Sequence, residues 1–215
     1  MEYKHIEQSR IPACTLDEQL FTKLWDIFSQ DGEFLWHAVV GTSDDLLGKT
    51  EAEQRPTQTV ESLEQLISLA KTLPRIDQIT LTVEVPDKGT MALALKNFVP
   101  AGGKIIITGQ EEAWVNERFD ACLELFLARK QTFNTLIYTR LGFGVIQTAI
   151  PLSSMFIFVM LAAGLLIPSD IRHSQWIWWI TAATVVVTLR LAYTVSDKMI
   201  IYALEKYPYI KWQAR

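Results

Sequence analysis

Over its last third the chain loses the interplay of apolar and polar positions that marks the rest. Leu141 to Ile167 contains no charge, and Trp176 to Val195 contains only Arg190, near its end. A helix needs roughly 20 apolar residues to cross a hydrocarbon core of about 30 Å, so each run predicts a transmembrane helix. The polar link at 168–175 is short enough only for a reversal, which makes the pair an antiparallel hairpin. A helix packed in a soluble core keeps a polar face at helical period, and neither run has one.

The first 140 residues pattern differently. Thr15 followed by Leu16-Asp17-Glu18 marks a helix start, after which Leu20, Phe21, Leu24, Trp25 and Phe28 repeat at helical spacing. Phe34 to Val40 reads as a strand, and Gly41 to Thr59 as a long acidic loop. Val60, Leu63, Leu66, Ile67 and Ala70 predict a second amphipathic helix ended by Pro74. Ile79, Leu81, Val83 and Val85 alternate with polar residues, as do Met91, Leu93 and Leu95 with Ala92, Ala94 and Lys96. Pro86-Asp87-Lys88-Gly89 joins these two strands in a hairpin, and Ala101-Gly102-Gly103 leads into a third at Lys104–Thr108. The expected front domain, 1–110, is therefore α+β, an antiparallel sheet with covering helices. From Glu111 the positions Val115, Phe119, Cys122, Phe126, Phe133 and Ile137 keep a helical period, with Thr108 and Glu111 spaced as a capping box. No Pro or Gly intervenes before Gly142, so 111–140 is expected as an amphipathic connecting helix running into the first span, 141–167, or one in which Gln131–Thr139 bends or lies along the membrane surface.

Charge orients this arrangement. Lys and Arg flank the spans at Arg129, Lys130 and Arg140 and again at Lys198, Lys206, Lys211 and Arg215, whereas the link holds only Arg172. Basic flanks stay cytoplasmic, so both termini are expected inside, in a multi-pass protein of the inner (plasma) membrane. The N-terminus has no apolar core of a secretory signal. Trp176, Trp178 and Trp179 are expected as interfacial anchors on the far side, with Tyr193, Tyr202, Tyr207, Tyr209 and Trp212 doing the same on the cytoplasmic side, the last four in a basic and aromatic tail at 196–215. Residues 1–140 hold about 14 basic and 21 acidic side chains, a balance of roughly −7, against roughly +3 for the remainder. An acidic domain disfavours broad nucleic-acid binding. The two cysteines, Cys14 and Cys122, are expected reduced.

Candidate chemistry is sparse. Gly41 to Thr50 ends in Gly-Lys-Thr like a phosphate-binding loop, but it has six residues where that motif has four, and Asp44 and Asp45 would face the phosphates. His5, His37 and His173 stand apart from other ligand types, and no nucleophile motif appears. The expectation is a protein that is not an enzyme, with no cofactor and no metal. The spans are more informative. Gln147, Pro151 and Ser154 share one face of the first, and Thr181, Thr184 and Thr188 one face of the second. Such residues let helices approach and hydrogen-bond in lipid, or line a narrow path in an oligomer. Arg190 lies where a long side chain reaches back to the headgroups.

In domain order and in its C-terminal pair of apolar runs the chain resembles small two-span membrane effectors of bacterial anti-phage systems, the retron-linked and cyclic-nucleotide-linked ones included. That resemblance is one of architecture and carries over no motif. It implies a cytosolic domain that senses, or is held by, a partner and controls a module that perturbs the inner membrane. The implied partners are lipids, further copies of the chain, and a cytosolic protein or ribonucleoprotein. The alternatives are a membrane-anchored adaptor recruiting a cytosolic protein, or a subunit of a larger transporter or channel.

Overall fold

The computed structural model describes residues 4–42, 57–73, 75–97, 101–165 and 176–213, excepting the side chains of 140, 143, 162–165, 176 and 177. The chain forms two compact units: Met1–Tyr138 with Tyr207–Arg215, and Thr139–Lys206. The first unit is thus built from both ends of the sequence.

Its frame is a six-stranded antiparallel sheet of β1 (His5–Ile11), β3 (Leu35–Gly41), β4 (Thr57–Val60), β5 (Gln78–Val85), β6 (Gly89–Lys96) and β7 (Gly102–Gly109), in the spatial order β1-β7-β6-β5-β3-β4. The expected meander of β5, β6 and β7 lies at the centre. Alternation decides its two faces: Ile79, Leu81, Val83, Met91, Leu93, Ile105 and Ile107 are buried, while Thr80, Thr82, Ala92, Lys104 and their neighbours point away. Three helices supply the other half of the core. From α1 (Glu18–Ser29) come Leu20, Phe21, Leu24 and Phe28; from α2 (Leu63–Thr72), Leu63, Leu66 and Ala70; from α3 (Glu112–Leu127), Val115, Cys122 and Phe126.

Local chemistry sets the boundaries. Asp17, not Thr15, caps α1, its carboxylate accepting from Leu20 N at 2.7 Å. Thr15 instead belongs to a short strand, β2 (Cys14–Leu16). The loop expected over Gly41–Thr59 ends early, because Thr57–Val60 pairs with β3 as β4; the rest of it, 43–56, lies outside the described residues. In the β5–β6 turn Lys88 N donates to Val85 O at 3.2 Å and Asp87 takes a φ of 61°. Gly89 has to be glycine, since a Cβ there would stand 2.6 Å from the Trp114 ring that packs over it.

One expectation left open is decided and two need correction. Over 111–140 the chain is not one helix but bends, in keeping with the second alternative over Gln131–Thr139, into α3, α4 (Thr132–Ile137) and α5 (Arg140–Gly144). No breaker residue is involved. At 128–131 the backbone turns to β2 instead: Thr15 N donates to Arg129 O at 3.3 Å and Gln131 N to Ala13 O at 2.7 Å. At the second break Thr139 starts a new helix by accepting from Gly142 N at 3.0 Å. The capping box is absent also: Thr108 stays in β7, its hydroxyl 2.7 Å from that of Thr90, and Glu111 caps α3 without a side-chain bond. The tail, finally, is not one separate segment: 196–206 continue the second apolar helix. Its last residues form a strand, β8 (Ile210–Trp212), parallel to β2.

The second unit is helical. From Arg140 to Leu165 the chain is helical without interruption, α5 passing through a π-helical turn at Val145–Ala149 into α6 (Ile150–Leu165). After the undescribed link, α7 (Trp176–Lys206) runs past the expected end at Val195. Its stretch Trp178–Lys206 is long and apolar enough to cross a membrane, with a mean hydropathy of 1.3, and α6 is a shorter apolar helix. The two helices pack against each other.

Candidate functional site

In the first unit, the point where the chain leaves for residue 139 and the point where it returns at 207 meet. Tyr138 donates its hydroxyl to Tyr207 O at 2.8 Å, and Asn134 Nδ2 donates to Pro208 O at 3.0 Å. The Tyr138 and Tyr209 rings meet edge to face at 5.2 Å, and Phe133 meets Tyr207 likewise. Burial pushes the Tyr138 and Tyr209 hydroxyls up, which keeps both protonated as donors.

The returning segment is then locked into the core. Tyr209 donates to Ile11 O, Cys14 N donates to Tyr209 O at 3.0 Å, and Gln213 N donates to Leu16 O at 2.8 Å. Trp212 stacks on Phe21. Asn97, 1% exposed, uses its whole side chain here: its Oδ1 accepts from Ile210 N at 2.7 Å, and its Nδ2 donates to Ile210 O and Ile76 O, both at 3.0 Å. A primary amide carries a donor and an acceptor side by side, so it can satisfy the N–H and C=O of one strand residue together. The leaving segment bonds to the same β2, where Lys130 bridges to Cys14 and Gln131 Nε2 donates to Thr15 Oγ1. Thus β2 is flanked by the way out and the way back. Sequence reasoning missed this clasp, although Pro208 after a helix and the alternation of Ile210 and Trp212 about Lys211 were strand signals.

In the second unit the expected stripes are placed as follows. Thr181 and Thr184 are half-buried and Thr188 is 4% exposed, so these three share the inward face of α7, which continues to Ser196. Thr184 and Thr188 donate to the carbonyls one turn back in their own helix, Ile180 O and Thr184 O. In the first run Pro151 is buried, while Gln147 and Ser154 are exposed and Ser154 donates to Ile150 O. Pro151 has no N–H for the carbonyl four residues back, which is that of Gln147. That carbonyl accepts instead from Ser196 Oγ of α7, at 3.4 Å. Arg190 is exposed, as are Trp178 and Trp179; the Trp176 side chain and all of 168–175 lie outside the described residues. The outward faces are apolar: Phe156, Ile157, Met160, Val186, Val187 and Leu191 are each more than half exposed, and of the most apolar stretch of α7 only 11% is buried.

A buried network holds the far end of the first unit. The Asp31 carboxylate accepts from Arg118 Nε and Nη2 at 2.9 and 3.1 Å, from Lys88 Nζ at 2.7 Å and from Trp114 Nε1 at 3.0 Å. Burial alone would push it up, but these bonds outweigh burial and hold it at about 2. The network ties the end of α1 to the β5–β6 turn and α3; Arg118 Nη1 donates to Glu117 at 3.2 Å and the other donors converge on Asp31, so it reads as structural.

Other chemistry is not assembled among the described residues. No three His, Cys, Asp or Glu side chains are grouped to hold a metal. Burial pushes the Cys14 and Cys122 thiols up to about 12, so both are inert. His5 faces Glu112 at 4.0 Å on the surface, and His37 points outward from β3. The Gly-Lys-Thr segment falls within the undescribed 43–50. A shallow depression lined by Gly32, Glu33, Phe34, Leu35 and Pro86 offers a single acid and no converging donors. Compared with known proteins, the chain matches no family model, no curated protein and no solved structure.

Proposed function

We propose that Thr139–Lys206 is a two-crossing membrane module inserted into a cytosolic α+β domain, and that the domain controls it by holding both its ends. The observation that carries this reading is the junction of Tyr138 with Tyr207. A segment that enters a bilayer and comes back to a hydrogen-bonded neighbour of its starting point crosses an even number of times. The helical run Arg140–Leu165 reaches roughly 39 Å at 1.5 Å per residue, enough for the first crossing beside α7. Apolar outward faces on α6 and α7 suit lipid or another copy of the chain far better than water. Ser196 answering the carbonyl freed by Pro151 is what a proline-containing helix requires where no water is present.

The module acts, on this reading, as an effector rather than an enzyme. A partner of the domain, a cytosolic protein or ribonucleoprotein, sets the state of the clasp, and a change there alters how the helices sit and disturbs the inner membrane, in keeping with the resemblance to anti-phage effectors. The Thr181, Thr184 and Thr188 face is turned inward in a single chain, so with further copies it would line a path only once α6 and α7 part. A second reading, an adaptor, has the outward face of the sheet in its favour, since Ala92, Ile106 and Thr82 lie there without a covering element among the described residues. The test is expression of the full chain in bacteria with a potential-sensitive dye. The effector collapses the membrane potential when its partner is missing and when Asn97→Ala loosens the clasp. Normal growth and potential in every such background would leave the adaptor.

A further inference from the structure

The first unit is acidic as a whole, yet its exposed charges are sorted by end. Arg10 and Lys104 are cross-strand partners on the outward face of the sheet, and both are exposed. Each is one residue from backbone that touches the returning segment: Ile11 O accepts from Tyr209, and the Cβ position of Gly103 lies 3.3 Å from the Tyr209 ring. Exposed Lys130 bridges to Cys14, and exposed Lys211 pairs with Thr15. Four cations therefore ring the place where the chain leaves and returns. The acids of this end are engaged inward, Asp17 with Arg129 and Asp77 with Arg75. Exposed acids among the described residues include Glu18, bound to Lys71, Glu124, a turn before the end of α3, Glu7, three residues before Arg10, and Glu205, two before Tyr207. Toward the opposite end of β5, roughly 13 Å by strand rise from Thr80 in the row of Arg10 and Lys104, stands exposed Glu84, with exposed Asp87 in the turn beyond.

We infer that this basic end rests on anionic phospholipid headgroups through Arg10, Lys104, Lys130 and Lys211. The inference depends on the membrane reading of Thr139–Lys206, because the chain leaves for that segment and returns from it at this end of the first unit. Charge complementarity selects the occupant: an anionic leaflet attracts each basic side chain near its surface, and the acidic far end is repelled from it, so the domain takes one orientation.

The test uses the full chain with a spin label on Gln8→Cys, which lies on the outward face two residues from Arg10; the native cysteines are buried. It is reconstituted into vesicles rich in phosphatidylglycerol or made of phosphatidylcholine alone, each doped with a nickel-chelating lipid. The label should collide with headgroup nickel in the anionic vesicles and lose that contact in phosphatidylcholine or at high salt. Each cation contributes about a five-fold preference, so R10Q with K104Q should lower the docked-to-undocked ratio about 25-fold and R10E with K104E should lower it further, while R10K with K104R keeps it. Equal collision in both lipids, or no response to charge reversal, overturns the inference while the chain stays carbonate-resistant. Release of the chain by carbonate overturns the membrane reading and the inference with it.

Discussion

Replacing Asn97 with alanine tests the clasp at its most committed side chain. The amide is buried, bonds both backbone groups of Ile210, and also serves Ile76 O. Alanine leaves one buried N–H and two buried carbonyls short of a partner. An orphaned buried group costs about 1–3 kcal/mol, and partial relaxation or water entry recovers some of this, so the loss should be about 2–3 kcal/mol. Because the bonds join β8 to the body of the domain, the loss should fall on the opening of the tail and not on the sheet. Hydrogen exchange of the full chain in micelles reads this residue by residue. The Ile210, Gln213 and Cys14 amides should exchange roughly 30- to 150-fold faster, as 2–3 kcal/mol requires, while amides of β5 and β6 keep their protection. Asn97→Asp retains an acceptor for Ile210 N but loses both donations, and should fall near the alanine variant. Unchanged exchange at Ile210, or an equal rise across β5 and β6, would refute the local clasp.

Two further outcomes follow from named contacts. Asp31 is held at about 2, below its ordinary 3.8, so its contribution is complete above about pH 4 and disappears as pH falls through 2. The increment is roughly 2 kcal/mol; acid titration of stability should show it in the wild type and lack it in Asp31→Asn, which should also be destabilised by about 3 kcal/mol at neutral pH through the stranded Arg118. Ser196→Ala removes the donor for Gln147 O and should weaken packing of α6 on α7 by about 1 kcal/mol in a denaturant titration in micelles. No loss there would mean the carbonyl finds another partner.

How far the sequence could be read depended on range. Period alone identified the core faces of α1, α2, β5, β6 and β7, because each is a local pattern of apolar side chains. Long-range backbone pairing was not readable. Nothing near Ala128-Arg129-Lys130-Gln131 disfavours a helix; the break comes from bonds to Ala13 and Thr15, more than a hundred positions earlier. Likewise Tyr209 and Trp212 look like interfacial aromatics until Ile11, Phe21 and Asn97 are seen around them. Asp31 gave no signal, since its four donors come from two elements distant in sequence, the β5–β6 turn and α3. The stripe of Thr181, Thr184 and Thr188 was legible by spacing, and Ser196, two turns further on, extends it for the same helical reason.

The most direct test of a two-crossing module inserted in a cytosolic domain is sidedness. Single cysteines are introduced at Ser169 in the link, at Gln8 in β1 and at Gln213 in the tail; native Cys14 and Cys122 are buried and stay silent. Intact spheroplasts are treated with a membrane-impermeant maleimide and then permeabilised. The account predicts that Ser169→Cys reacts before permeabilisation, and that Gln8→Cys reacts only after it, with Gln213→Cys protected or reacting only after it. Labelling of Gln213→Cys from outside, or shielding of Ser169→Cys until lysis, would contradict the account.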